Sequence, residues 1–246
     1  MPSRGHPLVT VLLLLSAPAA LGAQEKKPAA SFTLATNQDN FFGFYPTFAG
    51  TYEVAPRTDF AFYGILWTIP AFNVGGPASG GNLWTEFGAG VRFRSMQDKL
   101  AIKPQLGFTH GSLLSGAPTG GSPNAFDGVV PSLTVNYADA RYEAEWYSGY
   151  YRALRSVGPV QLDFIHFWAN AGVKFAKIVS VGGHYEQLRN SRTTAPGGRA
   201  ANTYQWLGGY VQFALPMNVT ARFTTGANIL DGARGDFYKL SAAVTF

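Results

Sequence analysis

The chain has 246 residues with no cysteine, 29 glycines, 19 phenylalanines and 12 tyrosines, and a formal net charge of +5. Charged residues make up only 13% of it, about half the share of a soluble globular domain. This composition excludes a disordered chain, which needs high charge and low hydrophobicity. It also excludes a disulfide scaffold and any Cys-ligated metal centre.

Residues 1–23 read as a secretory signal peptide: Arg4 precedes an apolar run from Leu8 to Leu15, and Leu21-Gly22-Ala23 forms a small-residue cleavage site. The run is too short to cross a bilayer as a helix, which takes about 20 residues. Cleavage leaves Gln24 as the first residue, with a short periplasmic segment over 24–30 and the folded unit over 31–246. No cysteine follows the cleavage site, so no lipid anchor is expected.

From residue 31 onward the hydrophobic period is two. Leu100, Ile102, Pro104, Leu106 and Phe108 alternate with Ala101, Lys103, Gln105, Gly107 and Thr109. Thr85, Phe87, Ala89, Val91 and Phe93 alternate with Glu86, Gly88, Gly90, Arg92 and Arg94. Such alternation specifies strands with one apolar and one polar face. Twelve strands are predicted, at 31–38, 41–54, 60–72, 84–95, 100–110, 129–138, 142–151, 163–175, 178–188, 202–215, 219–229 and 237–246. Short connections (55–59, 96–99, 139–141, 176–177, 216–218) alternate with longer ones (73–83, 111–128, 152–162, 189–201, 230–236), the short Asp39-Asn40 link being the exception on the longer side. A transmembrane β-barrel has this asymmetry, with short periplasmic turns and longer outer loops. In lipid every backbone polar group must be paired, so strands cross only as a closed barrel. The predicted fold is therefore all-β: a closed antiparallel transmembrane barrel of about 12 strands. Tyr45, Phe72, Trp84, Tyr137, Tyr142, Phe175, Tyr204 and Phe246 are assigned to interfacial girdles. Pro46, Pro70, Pro104 and Pro131 each remove a ladder donor; Pro70 and Pro131 are placed at a rim, while Pro46 and Pro104 call for a bulge or a shifted strand limit.

The last ten residues, FYKLSAAVTF, put Tyr238, Leu240, Ala242, Val244 and Phe246 on one face. A terminal Phe with apolar and aromatic residues alternating back from it resembles the C-terminal signal of bacterial outer-membrane β-barrels. The whole chain also resembles small porin-like barrels. The resemblance implies an outer-membrane location, with lipid and lipopolysaccharide around it, and recognition by the barrel-assembly machinery.

If the apolar face meets lipid, the alternate face points inward. That set contains Glu86, Arg92, Arg94, Lys103, Gln105, Asn136, Glu143, Glu145, His166, Asn170, Lys174, His184, Glu186 and Arg222. Arg92, Arg94, Lys103, Lys174, Arg222, Glu143 and Glu145 fall near short turns. They read either as a constriction favouring anionic small solutes or as an internal network that satisfies buried charges. The expected function is passive or weakly selective passage of small solutes.

Three features test for chemistry. His110 and Ser112 stand two apart on the apolar side of a strand, a spacing similar to the His/Ser pair of outer-membrane phospholipases. Leu113-Leu114 stands where that family has Asn-Gly, and Asn124 is a nominal third member. Glu143 and Glu145 share one face, where cations on other strands are the expected partners. His166 and His184 both point inward from adjacent strands, but no further ligands have metal-site spacing. The expectation is no cofactor, no metal and no enzyme, with a lipid-modifying hydrolase or an adhesive barrel acting through its outer loops as alternatives. Arg189, Arg192 and Arg199 are assigned to one outer loop in contact with lipopolysaccharide. The basic residues are dispersed without aromatic platforms, so nucleic acid is not an expected partner.

Overall fold

In a computed structural model, residues 30–67, 84–115, 124–156, 158–175, 177–233 and 235–246 are described. They form twelve strands: β1 (Ala30–Asp39), β2 (Gly43–Ala55), β3 (Thr58–Trp67), β4 (Trp84–Ser95), β5 (Leu100–Gly111), β6 (Asn124–Ala138), β7 (Tyr142–Ala153), β8 (Leu162–Phe175), β9 (Val179–Thr193), β10 (Ala201–Leu215), β11 (Val219–Asn228) and β12 (Asp236–Thr245). Each pairs antiparallel with its neighbours in sequence, and β1 pairs with β12 to close the barrel. The closing seam is double. Leu34 lies opposite Val244, and the Phe32 and Phe246 backbones exchange two hydrogen bonds of 2.9 Å. Closure leaves no unpaired edge, the condition a strand must meet in hydrocarbon.

The alternation predicts the faces because side chains on a strand point to opposite sides in turn. Phe32, Leu34, Phe60, Phe87, Phe93, Leu106, Phe108, Val181, Leu207, Phe213, Phe223 and Leu240 are exposed on the outside of the wall. Glu86, Asn170, His184 and Glu186 are buried on the inside. This is a transmembrane barrel turned inside out relative to a soluble one: apolar groups face the surroundings and polar groups face the core.

The prolines fit without large distortion. Pro46 lies beyond the last β2–β3 pair, Thr47 with Ile65. At Pro104 the β4–β5 ladder skips from Gly90–Gln105 to Phe93–Ile102 while keeping its register, so the missing N–H falls in a gap and no bulge is needed. Pro131 is not at a rim: β6 starts at Asn124, and the β6–β7 ladder skips from Val129–Arg152 to Ser132–Gly149 beside it. Pro70 and Phe72 lie outside the described residues, as do residues 1–29 with the signal-peptide reading.

Three of the expected girdle residues are corrected. Tyr45, Trp84 and Tyr204 line or fill the interior, because their positions are in phase with Thr47, Glu86 and Trp206, all inward. Tyr142, Phe175 and Phe246 are exposed, and Tyr137 is half-buried on the outer face. The expected outer loop at 189–201 is also shorter. β9 runs to Thr193, so Arg189 and Arg192 belong to a strand and only Arg199 to the connection. The run Arg189–Thr193 is polar on both faces and gave no periodic signal.

Candidate functional site in the barrel lumen

The lumen has two levels. Near the end that carries the longer connections, it is filled by aromatic and aliphatic side chains. Phe42, Trp67, Trp84, Leu114, Val130, Tyr151, Phe164, Leu188, Tyr204, Trp206 and Phe237 form one buried cluster. The connection between β1 and β2 turns inward and places its two rings at the centre. Phe42 packs on Trp67 at 4.5 Å and on His166 at 5.7 Å, and Phe41 packs on Tyr204 at 4.7 Å. These partners come from β3, β8 and β10, so the tip spans the lumen. Only about 10 Å³ of space remains between Phe42, Trp84, Leu113 and Leu188.

Buried aspartates hold the segments that close this end. Asp39 Oδ1 accepts hydrogen bonds from the Phe41 and Phe42 N–H groups at 2.8 and 2.5 Å, and the Tyr45 hydroxyl donates to its Oδ2 at 3.1 Å. Asp127 accepts from the Leu114 and Ser115 N–H groups at 2.8 and 2.9 Å, which folds Leu114 over the lumen. Asp163 accepts from the Ala153 N–H at 3.0 Å and from Arg192 at 2.6 and 3.0 Å. Each carboxylate satisfies donors that a turn would otherwise leave unpaired.

Below this layer lies a water-accessible cavity of about 560 Å³. Its wall includes Lys103, Gln105, Asn136, Glu145, His166, Asn170, His184 and Arg222, together with Lys239 and Trp168. Ala49 on β2 and Ala61 on β3 are small inward residues, beside the larger Tyr45, Tyr63 and Ile65 of the same strands.

The other expected inward residues are tied into pairs. Glu86 is fully buried and accepts from the Tyr63 hydroxyl at 2.7 Å. Arg92 and Arg94 meet Asp59 at 2.5 and 3.1 Å, and Arg94 also meets Glu53 at 2.8 Å and Asp98 at 3.0 Å. Both arginines are thus paired with carboxylates at the short-turn rim and are not in the cavity wall. Lys174 donates to the Asp139 carbonyl at 2.9 Å. Glu143 accepts from Tyr210 at 2.8 Å and Gln212 at 3.4 Å. Arg222 donates to Gln212 at 2.8 Å, sits over the Tyr210 ring at 4.6 Å, and comes within 4.0 Å of Glu145. Glu145 also accepts from the Trp168 indole N–H.

The two inward histidines share one carboxylate. His166 Nε2 lies 2.9 Å from Glu186 Oε1, and the Tyr204 hydroxyl donates to the same oxygen at 2.6 Å. His184 Nδ1 lies 2.7 Å from Asn170 Oδ1, and its Nε2 is 3.3 Å from Glu186 Oε2 without hydrogen-bond geometry. Lys239 completes the group with an ion pair to Glu186 and stands over the Trp168 and Trp206 rings at 5.9 and 5.7 Å. No set of three or more metal-ligating side chains occurs among the described residues. Lys239 escaped the sequence reading of the lumen although its alternation with Tyr238 and Leu240 places it inward. Asp127 and Asp163 left no sequence signal, since the donors they hold include groups a dozen or more residues away.

The alternative candidates His110, Ser112 and Asn124 stand where β5 ends and β6 begins. His110 is exposed on the outer face, where Phe108 is also exposed. Ser112 follows Gly111, which has φ of +146° and breaks the alternation between them. Asn124 pairs with Gly111 through the β5–β6 ladder. Tyr238, Leu240, Val244 and Phe246 sit on the outer face of the closing strand and its end.

A protein-family model described as a family of unknown function (DUF6733) matches residues 2–246. No curated protein matches the sequence. Among solved structures, the chain is similar to the KdgM porin, with 10% identity, a TM-score of 0.50, and coverage of 88% of this chain and 99% of that one. It is also similar to a membrane protein solved in work on the mechanism of in-meso crystallization, with 12% identity, a TM-score of 0.54, and coverage of 88% and 84%. An outer membrane channel from Pseudomonas putida F1 aligns with 10% identity, a TM-score of 0.49, and coverage of 93% and 100%. The likeness is one of fold.

Proposed function

The chain belongs to that family of unknown function, so its own geometry must supply the role, and we propose that it is a porin-like channel of the bacterial outer membrane for small solutes. The observation that carries this reading is the water-accessible cavity of about 560 Å³ inside a closed barrel. An eight-stranded barrel is filled by side chains and sixteen strands leave a wide channel; twelve strands leave this compartment. The aromatic layer around Phe41 and Phe42 is its narrowest level and sets a low cut-off in solute size. Passage is passive and weakly favours anions, because Lys103 and Arg222 face the cavity while Arg92 and Arg94 are balanced by acidic partners.

The signal peptide carries the chain across the inner membrane. Tyr238, Leu240, Val244 and Phe246 serve recognition by the barrel-assembly machinery, and Arg199 meets lipopolysaccharide. Liposome swelling with neutral sugars of rising size tests the channel reading. A three-carbon polyol is expected to enter and a trisaccharide to be excluded. Absence of swelling with every solute contradicts the proposal.

A further inference from the structure

The strand register places four side chains in one row on the cavity wall. Lys103 on β5 pairs with Thr134 on β6, Thr134 with Tyr147 on β7, and Tyr147 with Trp168 on β8. All four line the cavity. The Tyr147 and Trp168 rings are stacked at 4.0 Å and 19°, an aromatic pair in the same row as the lysine and separated from it by Thr134. The Trp168 indole is fixed by its hydrogen bond to Glu145. Elsewhere on the wall, β2 and β3 contribute the small residues Thr47, Ala49, Thr51 and Ala61 beside Tyr45, Tyr63 and Ile65. The row is cationic and aromatic, and the cavity in front of it leaves room for a guest.

The charge pattern is uneven in the same place. Glu86, Glu143, Glu145 and Glu186 each have their own donors, from Tyr63, Tyr210, Trp168 and Lys239 respectively. Among the described residues Lys103 makes no hydrogen bond or ion pair. Glu145 acts on the Lys103 charge from a distance but makes no ion pair with it and is already bonded to Trp168, so a charge-assisted hydrogen bond to the carboxylate of a guest adds stabilisation that the wall itself does not supply. An aromatic plate adds favourable contact for a flat body, and the cavity volume falls in the range of small-molecule sites.

We propose that Lys103, Thr134, Tyr147 and Trp168 form a binding site in the lumen for a small organic carboxylate with a flat ring body. The inference rests on reading the lumen as a solute compartment, and adds the class of solute held there.

The test uses the full mature barrel folded in detergent, titrated calorimetrically with benzoate and with its neutral counterpart benzamide. Benzoate is expected to bind saturably, at least about tenfold more tightly than benzamide. Lys103→Gln is expected to lose about tenfold in benzoate affinity with benzamide unchanged, and Lys103→Arg to restore most of it. Equal binding of the two compounds, no binding of either, or a Lys103→Gln protein that binds benzoate as well as the parent overturns the proposal. The comparison in the parent protein stands even where a variant fails to fold. Solute passage without benzoate binding removes this site and leaves the channel reading; benzoate binding without passage does the reverse.

Discussion

A carboxylate inside a barrel wall survives only in company, and Glu186 shows how much company one needs. It is fully buried and touched by His166, His184, Tyr204 and Lys239. Removing one partner of a buried pair typically costs about 3–5 kcal/mol, chiefly because the other charge is left uncompensated. Lys239→Met is therefore expected to lower unfolding stability by that order, read as a fall in the urea midpoint of the detergent-folded protein. Lys239→Met combined with Glu186→Gln is expected to recover most of the loss, and additive losses would contradict the pairing. The tyrosines of the lumen depend on glycines in a similar way. Tyr63 lies against Gly88 and Gly107 on its way to Glu86, and Tyr210 against Gly172 and Gly182 on its way to Glu143, so a Cβ at those glycines would collide with the ring.

The short turns at one end of the barrel are the elements that set its register. In Pro216–Val219 the two central residues, Met217 and Asn218, have φ of +60° and +55°, the signature of the turn whose twist matches a β-hairpin. The β6–β7 turn is held instead by a side chain. Asp139 Oδ1 accepts from the Arg141 and Tyr142 N–H groups at 2.7 and 2.6 Å, and the Tyr137 hydroxyl donates to Oδ2 at 2.7 Å. The Tyr142 and Tyr137 bonds hold the Asp139 carboxyl down at about 2. A carboxylate depressed in the folded state contributes stability that is present above its unfolded value, near 3.9, and is lost as pH falls through the folded one. The stability difference between the parent and Asp139→Asn is expected to be constant above about pH 5 and to shrink between about pH 4 and pH 2. Urea midpoints of both proteins across that range check it, and a difference that does not change with pH contradicts the turn's dependence on the carboxylate.

Strand number, order of short and long connections, and the inward or outward face of residues such as Glu86, Lys103 and Glu186 were legible because one period of two runs through the wall. Strand ends were not. The extension of β9 over Arg189–Thr193 is polar on both faces, since it carries pairs such as Arg192 with Asp163. The aromatic layer was hidden for a different reason. Tyr45, Trp84 and Tyr204 have the composition of interfacial residues, and only register with Thr47, Glu86 and Trp206 shows that they turn inward. The tip at Phe41 and Phe42 looked like a plain hairpin link, because the carboxylate that folds it into the lumen belongs to the preceding strand.

At the scale of the whole molecule, scarcity of charge follows from the outer wall, where Lys or Arg costs about 2–4 kcal/mol at the middle of the bilayer. The charges that remain are sorted to the lumen, the turns and the strand ends. The result is a polar compartment narrowed at one end by aromatic packing, with Phe41 and Phe42 at the centre of the narrowing and Asp39 holding them there. The most direct test is single-channel conductance in a planar bilayer, comparing the parent with the Phe41→Ala, Phe42→Ala double variant. The account predicts small conductance steps for the parent and steps several-fold larger for the variant, with the same voltage polarity and an equally folded barrel. Equal conductance in the two proteins, or none in either, would contradict a solute channel narrowed at this layer.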